Sequence, residues 1–412
     1  MNRTILHSDM NCFYASVEMM LNPELQGKAV AVCGSTENRH GIVLAKSEKA
    51  KQAGIKTGMV NWEAKRLCPD LILVPPQYEQ YLKYSNMARE IYQEYTDLVE
   101  PYGMDECFLD VTASQVLYGS GKEIADQIRC RMKNELGLTV SIGISFNKIF
   151  AKLGSDMKKP DAITSIEESE WKQKVWPLRV SELLFCGRST TKKLEQVGIY
   201  TIGDLAEMDH DYVNQLLGKN GLMLWSYANG LDDSPVMEKD FVSPMKSVGH
   251  GITCTADLKT EEEVWKVILE LCQDIGHRLR IHGLKAQGVQ IAIRSQELFI
   301  RQYQGQLSLT TIVPLEIAKL ARELFQRNYD WKEPVRSVTV RAINLVSAKE
   351  PEQICLFSDP IRLEKEEKLF LAIEEIRRRF GKRAIYPAAL MKDLKMPEYR
   401  DHGLIMPGVM NR

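Results

Sequence analysis

What the sequence lacks narrows the field first. Its nine cysteines include no close metal-type pair, so neither a disulfide frame nor a zinc site is expected, and the chain reads as a protein of a reducing cytosol. No window approaches the roughly 20 apolar residues needed to span a bilayer. The stretch Met1–Asp9 has no long apolar run of the signal-peptide kind, so a cytoplasmic protein without a membrane partner is expected. Strong charge of one sign is also missing. The net charge is −1, which leaves nucleic acid open as a partner because a local basic face suffices for it. There is no internal repeat and no low-complexity segment.

What is present is ordinary globular material: 412 residues, 44% hydrophobic and 26% charged, enough for about three or four domains. Residues 1–165 alternate short β-type runs with helical patterns. Thr4-Ile5-Leu6, Ala29-Val30-Ala31-Val32, Ile42-Val43-Leu44 and Leu71-Ile72-Leu73-Val74 read as strands. Glu79–Tyr95 and Lys122–Leu136 read as amphipathic helices, and Leu138–Ile144 as a buried strand, so an α/β or α+β domain with a central sheet is expected. Residues 166–230 change to short helices with glycines at the turns, and Asp232-Asp233-Ser234-Pro235 marks a domain boundary. From about 243 to 346 the order βαββαβ predicts a small sheet covered by helices on one face, followed by a charged helix near 361–380 and a tail.

Three acids sit in unusual contexts. Asp9 ends an apolar strand where a helix should begin, at Met10-Asn11-Cys12-Phe13-Tyr14. Asp105-Glu106 interrupt a strand or hairpin between Tyr102-Gly103-Met104 and Cys107-Phe108-Leu109-Asp110-Val111. Neighbouring side chains on a regular strand point to opposite faces. Both carboxylates therefore face one site only if the chain turns there, which Gly103 could allow. Carboxylates meeting at a sheet edge suit magnesium, an octahedral oxygen-ligand ion, and a two-metal phosphoryl transfer. Taken singly, Asp9 reads equally well as a helix cap, and the spacing of Asp105-Glu106 alone favours a solvated turn.

Longer motifs add to this. Asp9-Met10-Asn11-Cys12-Phe13-Tyr14-Ala15-Ser16-Val17-Glu18 resembles the first signature of Y-family, translesion-type DNA polymerases. Met104-Asp105-Glu106 with Phe108, Asp110 and Thr112 resembles the second. Gly143-Ile144-Ser145-Phe146-Asn147-Lys148, continuing through Ala151-Lys152-Leu153 to Lys159-Pro160, resembles the third. Order and spacing hold from residue 1 to about 346. The resemblance implies a multidomain α/β and α+β fold shaped as a right hand. Its palm would span 1–20 and 76–165, small fingers 21–75, a helix-hairpin-helix thumb 166–232, a βαββαβ little finger 243–346 and a C-terminal tail 347–412. It implies a template-directed, error-prone DNA polymerase for damaged templates, a mutator of the SOS response. A primer 3′-hydroxyl would attack the α-phosphate of a dNTP and release pyrophosphate. By position, Asp9, Asp105 and Glu106 would hold Mg2+ with the Met10 carbonyl, Tyr14 would be the steric gate against a ribose 2′-hydroxyl, and Phe13, Lys51 and Lys159 would contact the nucleotide.

The fingers segment departs from the family pattern. Where the family commonly carries Thr, Tyr and Arg against the triphosphate, this chain has Ala45, Glu48 and Lys51. Lys51 still neutralises phosphate but lacks the Arg fork. Glu48 would repel a triphosphate if turned inward, unless Lys46 and Lys49 offset it. Similar substitutions in the UmuC-like branch point to that bacterial branch. On the residues alone, the three lysines also admit a reading as a solvated helix face.

For DNA grip, the hairpin around Gly187-Arg188-Ser189 resembles a module that aims helix N-terminal amides at phosphates. Residues 241–345 hold 14 Lys/Arg against 11 Asp/Glu, and Lys246, Lys285, Arg294, Arg301, Arg336 and Arg341 fall on strands, so a basic sheet face toward primer–template DNA is expected. Gln353-Ile354-Cys355-Leu356-Phe357 resembles the peptide by which bacterial polymerases bind the sliding clamp, with Gln353, Leu356 and Phe357 as its anchors. The tail around Ile373–Gly381 suggests docking of an accessory SOS protein. Two other readings compete: a catalytically weak scaffold that binds DNA and clamp, favoured by the altered fingers, and a nucleotide cyclase with a similar palm, which leaves the thumb and clamp motif unexplained.

Overall fold

The computed structural model describes residues 3–351, 359–391 and 394–397. These divide into two compact units, one within 1–34 and 42–242, the other within 35–41 and 243–403. The clamp-type peptide at Gln353–Phe357 lies outside the described residues.

The first unit carries β1 (Ile5–Met10), β2 (Val30–Cys33), β3 (Val43–Lys46), β4 (Ile72–Val74), β5 (Val99–Pro101), β6 (Glu106–Asp110), β7 (Val140–Ser145) and β8 (Ile163–Ile166). They form two sheets rather than one. A five-stranded sheet runs β5-β6-β1-β7-β8, and a separate three-stranded sheet runs β3-β2-β4. The small sheet closes around a core of its own, including Ala31, Cys33, Val43, Ile55 and Leu71. In the larger sheet β1 is central and antiparallel to both β6 and β7. All six of its residues are buried, including His7, Ser8 and Asp9. Polar groups in a fully buried central strand need partners, and the partners found here define the site described below.

Helix Lys148–Met157 follows β7 and lies directly on it. The contact is backbone to backbone: a Cβ on Gly143 would sit 1.9 Å from the Ala151 carbonyl oxygen and 2.5 Å from the Ser155 nitrogen. Only glycine permits such an approach. Asn147 caps this helix by accepting from the Phe150 amide at 2.8 Å. Ile149, Phe150 and Leu153 of the same helix join the core of the short helices between 171 and 228, with Leu194, Ile202, Leu205 and Leu224. The segment after these helices stays bonded to the first unit. Asp232 accepts from the Lys148 amide, the Lys148 ammonium reaches the Pro235 carbonyl, and Met237 N–H donates to Glu100. The chain leaves the first unit only after Val242.

The second unit has the expected βαββαβ order. β9 (Ser247–Leu258), β10 (Leu284–Ser295), β11 (Ile300–Thr311) and β12 (Val335–Ser347) form one antiparallel sheet, β11-β10-β12-β9. Helices Glu261–Ile281 and Pro314–Asn328 share its core, where Ile268, Leu271, Ile275 and Phe325 meet Val289, Ile291, Val338 and Val340. The charged helix is Pro360–Phe380, joined to Glu261–Ile281 through Glu374 and to the core through Phe370. No helix of the described residues is long and apolar enough to cross a membrane.

Candidate active site

Asp9 lies within β1 and caps nothing. The next helix, Phe13–Leu21, begins after Cys12, whose backbone is left-handed (φ 50°) and offers no side-chain cap. In register, Asp9 pairs with Glu106 across β1 and β6. Asp105 sits one residue before β6, where Met10 N–H donates to its carbonyl at 2.9 Å and pins it beside the end of β1. The turn at 102–106 is held by Tyr102 N–H donating to the Glu106 carbonyl, by Arg89 reaching the Gly103 carbonyl, and by Ser85 donating to Met104. Gly103 does not use its conformational freedom, since its φ stays out of the left-handed region. What matters is its bare Cα: a Cβ there would come within 3.3 Å of Asp105 Oδ1.

A cleft of about 400 Å³ opens at this point, lined among others by Asp9, Met10, Phe13, Tyr14, Asp105, Glu48, Lys46, Lys51 and Lys159. Lys159 donates to Asp9 Oδ2 at 2.7 Å and lies 2.8 Å from Asp156. Lys152 stands 2.9 Å from Glu106, 3.8 Å from Asp9 and 3.4 Å from Asp156. Burial pushes the Asp9 carboxyl up to about 7, with Lys159 opposing and Glu106 adding to the rise. Burial and the Glu106 charge also raise Asp105. Burial works against the charge of Glu106 too, but His7 and Lys152 beside it outweigh this and hold it below the usual carboxylate range. The imidazole of His7 is fully buried, bonded through Nδ1 to Ser155 Oγ at 2.8 Å, and has Nε2 3.6 Å from Glu106.

Among the described residues no three acidic, His or Cys side chains converge tightly enough to hold an ion. The ammonium groups of Lys152 and Lys159 take the carboxylate oxygens instead. The donor set nonetheless fits a hard divalent cation: Asp9 and Asp105 line the cleft with Met10, Glu106 stands beside Asp9 as its register partner without lining the cleft itself, and burial works against the charge of the two lining acids.

Tyr14 projects along the cleft wall, its ring stacked on Tyr81 at 4.1 Å and 9° and its hydroxyl 3.3 Å from Met104 Sδ. Phe13 lines the same wall but is only 3% exposed, wedged beside Tyr14 and Tyr81. Lys46 and Lys51 are at the cleft, whereas Lys49 turns away and donates to the Gly27 carbonyl at 3.0 Å. Glu48 faces inward. Sequence reasoning passed over Lys152, Asp156 and His7 as site residues. The 152, 156 spacing, i, i+4, was a legible sign that one face of helix Lys148–Met157 is charged, with Lys159 joining it from just beyond the helix end.

Away from the cleft, Gly187 is the N-cap of helix Arg188–Glu195, with nothing within 4 Å of where a Cβ would stand and with Arg188 exposed. Arg294 and Arg341 alternate with Ile293, Val340 and Ala342, which are buried under the helices, so both emerge on the sheet face opposite them. Arg336 lies beside a register shift and Lys246 just ahead of β9. Lys285 is tied to Glu367 of the C-terminal helix at 3.0 Å, so it does not contribute to that face as expected.

Residues 8–156 match the model of the impB/mucB/samB family, and residues 245–356 match the model of that family's C-terminal domain. The chain is 48% identical over 393 residues to the DNA polymerase IV of Acetivibrio thermocellus, covering 95% of this chain and 98% of that protein. It is 38% identical over 393 residues to DNA polymerase IV 1 of Bacillus subtilis, covering 95% and 94%. Among solved structures it resembles the Y-family DNA polymerase chimera Dbh-Dpo4(243-245)-Dbh, with a TM-score of 0.74 at 24% identity over 84% of this chain and 99% of that one. The chain belongs to the impB/mucB/samB family of Y-family DNA polymerases.

Proposed function

We propose that this DNA-directed DNA polymerase extends primers across damaged template by nucleotidyl transfer in the cleft of Asp9, Asp105, Tyr14 and Lys159. The observation that carries the reading is the convergence of all four residues on one cavity, although they are up to 150 positions apart in the chain. The five-stranded sheet would act as palm, the small sheet as fingers, the short helices as thumb and the second unit as little finger. Asp9, Asp105, Glu106 and the Met10 carbonyl would hold Mg2+, which when bound supplies charge for the attacking and leaving oxygens.

The chain's own groups account for the rest. Lys159 and Lys51 neutralise the triphosphate while the primer 3′-oxygen bonds to the α-phosphorus and pyrophosphate leaves. The Tyr14 ring, braced on Tyr81, lies under the sugar and excludes a 2′-hydroxyl. The amides at the start of helix Arg188–Glu195, with Arg188, and the outward Arg294 and Arg341 with Arg336 and Lys246, grip the DNA backbone. Low fidelity, action in the SOS response, clamp binding through Gln353, Leu356 and Phe357, and a cytoplasmic location belong to the same proposal.

Primer extension on an undamaged template, with magnesium and dNTPs, tests it. Wild type should extend, and Asp105→Ala/Glu106→Ala should fall by about a thousandfold or more. A wild type that binds DNA in a salt-sensitive way yet extends nothing would favour the scaffold reading.

A further inference from the structure

We propose that Glu48 weakens this polymerase's grip on the incoming triphosphate, acting as an affinity-setting acid at the phosphate end of the cleft. The inference rests on reading that cleft as the nucleotide site. Glu48 opens the helix Glu48–Gln52 on the wall facing Asp9, after an N-cap at Ser47. An unpaired surface glutamate would turn to solvent, but this one is tethered inward. The Cys12 thiol donates to Glu48 Oε1 at 3.2 Å, and the left-handed backbone at Cys12 (φ 50°) places that thiol. Glu48 is 34% exposed and lines the cavity together with Lys46, Lys51, Thr57 and Lys159.

Its compensation is thin. Lys51 is 3.6 Å away in a half-exposed i,i+3 pair of a kind worth little. Lys46 is bonded to Thr57 at 3.1 Å, and Lys49 points elsewhere. Asp9 and Asp105 belong to the proposed metal site, so among the described residues Glu48 is the lining acid of this cavity left with Lys51 as its cation. A carboxylate fixed there competes with the triphosphate for Lys51 and repels it. The charge that develops as pyrophosphate leaves is centred on the β-phosphate oxygen bonded to the α-phosphorus, whereas the γ-phosphate charge changes little, so an acid at the far phosphate end acts more on binding than on the chemical step.

The test compares wild type, Glu48→Gln and Glu48→Asp in single-nucleotide extension at saturating primer–template. KM for dNTP should fall roughly three- to tenfold in Glu48→Gln, with kcat little changed. Glu48→Asp should stay near wild type. The gap should narrow between 50 and 200 mM salt, because charge repulsion is screened and a packing change is not. Titration of a non-hydrolysable dNTP into the enzyme–primer–template complex should give the same fold-change without turnover. A wild type that extends primers, with KM unchanged or raised in Glu48→Gln, overturns this proposal alone. A wild type that does not extend removes the reading on which it rests.

Discussion

Asp9 and Glu106 are direct register partners across β1 and β6, so their carboxylates leave the sheet on the same face. Like charges placed this way repel, and the Lys152 ammonium lies within 4 Å of both. Removing it should expose that repulsion. Lys152→Met is expected to destabilise the metal-free protein by about 2 kcal/mol at pH 7. Added magnesium should restore more stability to the variant than to wild type, measured by denaturant unfolding with and without the ion.

Tyr14 owes its position to its stack on Tyr81, so the wall it forms is rigid. Tyr14→Ala should let ribonucleotides in and cut the deoxy-over-ribo preference by about tenfold or more. Parallel kinetics with dNTP and rNTP measure it, and an unchanged preference would remove Tyr14 from that role.

Arg294 and Arg341 share the face of the second sheet opposite its helices. Replacing either with Ala should weaken DNA binding similarly across sequences and reduce the salt slope by about one. Binding titrations at several salt concentrations give both numbers, and a flat salt response in wild type would contradict the assignment.

Leu356→Ala with Phe357→Ala should abolish stimulation by the sliding clamp while sparing clamp-free synthesis. Loss of both activities would mean that these side chains support the fold.

Glu374 is 4% exposed, and burial works against its charge. His277, Arg377 and Arg280 outweigh that and hold its carboxyl below the usual range. A depressed folded value means stabilisation that is present above the unfolded value of 4.5 and lost as pH falls through the folded one. Glu374→Gln should therefore cost about 2–3 kcal/mol at pH 7 and much less in acid, read by urea unfolding of the full chain at both pH values.

Much of this architecture was legible before any coordinates. The alternation at 284–294 and 335–346 and the helical periods between them gave the second unit almost whole, because one buried face imposes a strict pattern. Asp9, Asp105, Tyr14 and Lys159 were legible as a set through their motifs, and they line one cavity. What escaped depends on tertiary placement. Strand β1 buries Ser8 and Asp9 along with Leu6, so no alternation marked its centre. Lys152 and Asp156 sat in plain view on a helix whose facing direction is set by its contact with Gly143. The inward turn of Glu48 hangs on one left-handed residue, Cys12, and Lys49, expected to offset it, points the other way.

The Gly143 contact has a wider consequence. Strand β7 is bonded to β1, and at Gly143 helix Lys148–Met157 meets β7 backbone to backbone. Acids on the strand and amine on the helix are thus parts of a single casting whose gauge is main-chain thickness. Drift in the surrounding side chains can retune charge and fit there without altering the spacing of these carboxylates from the Lys152 ammonium, while one added methyl at position 143 would.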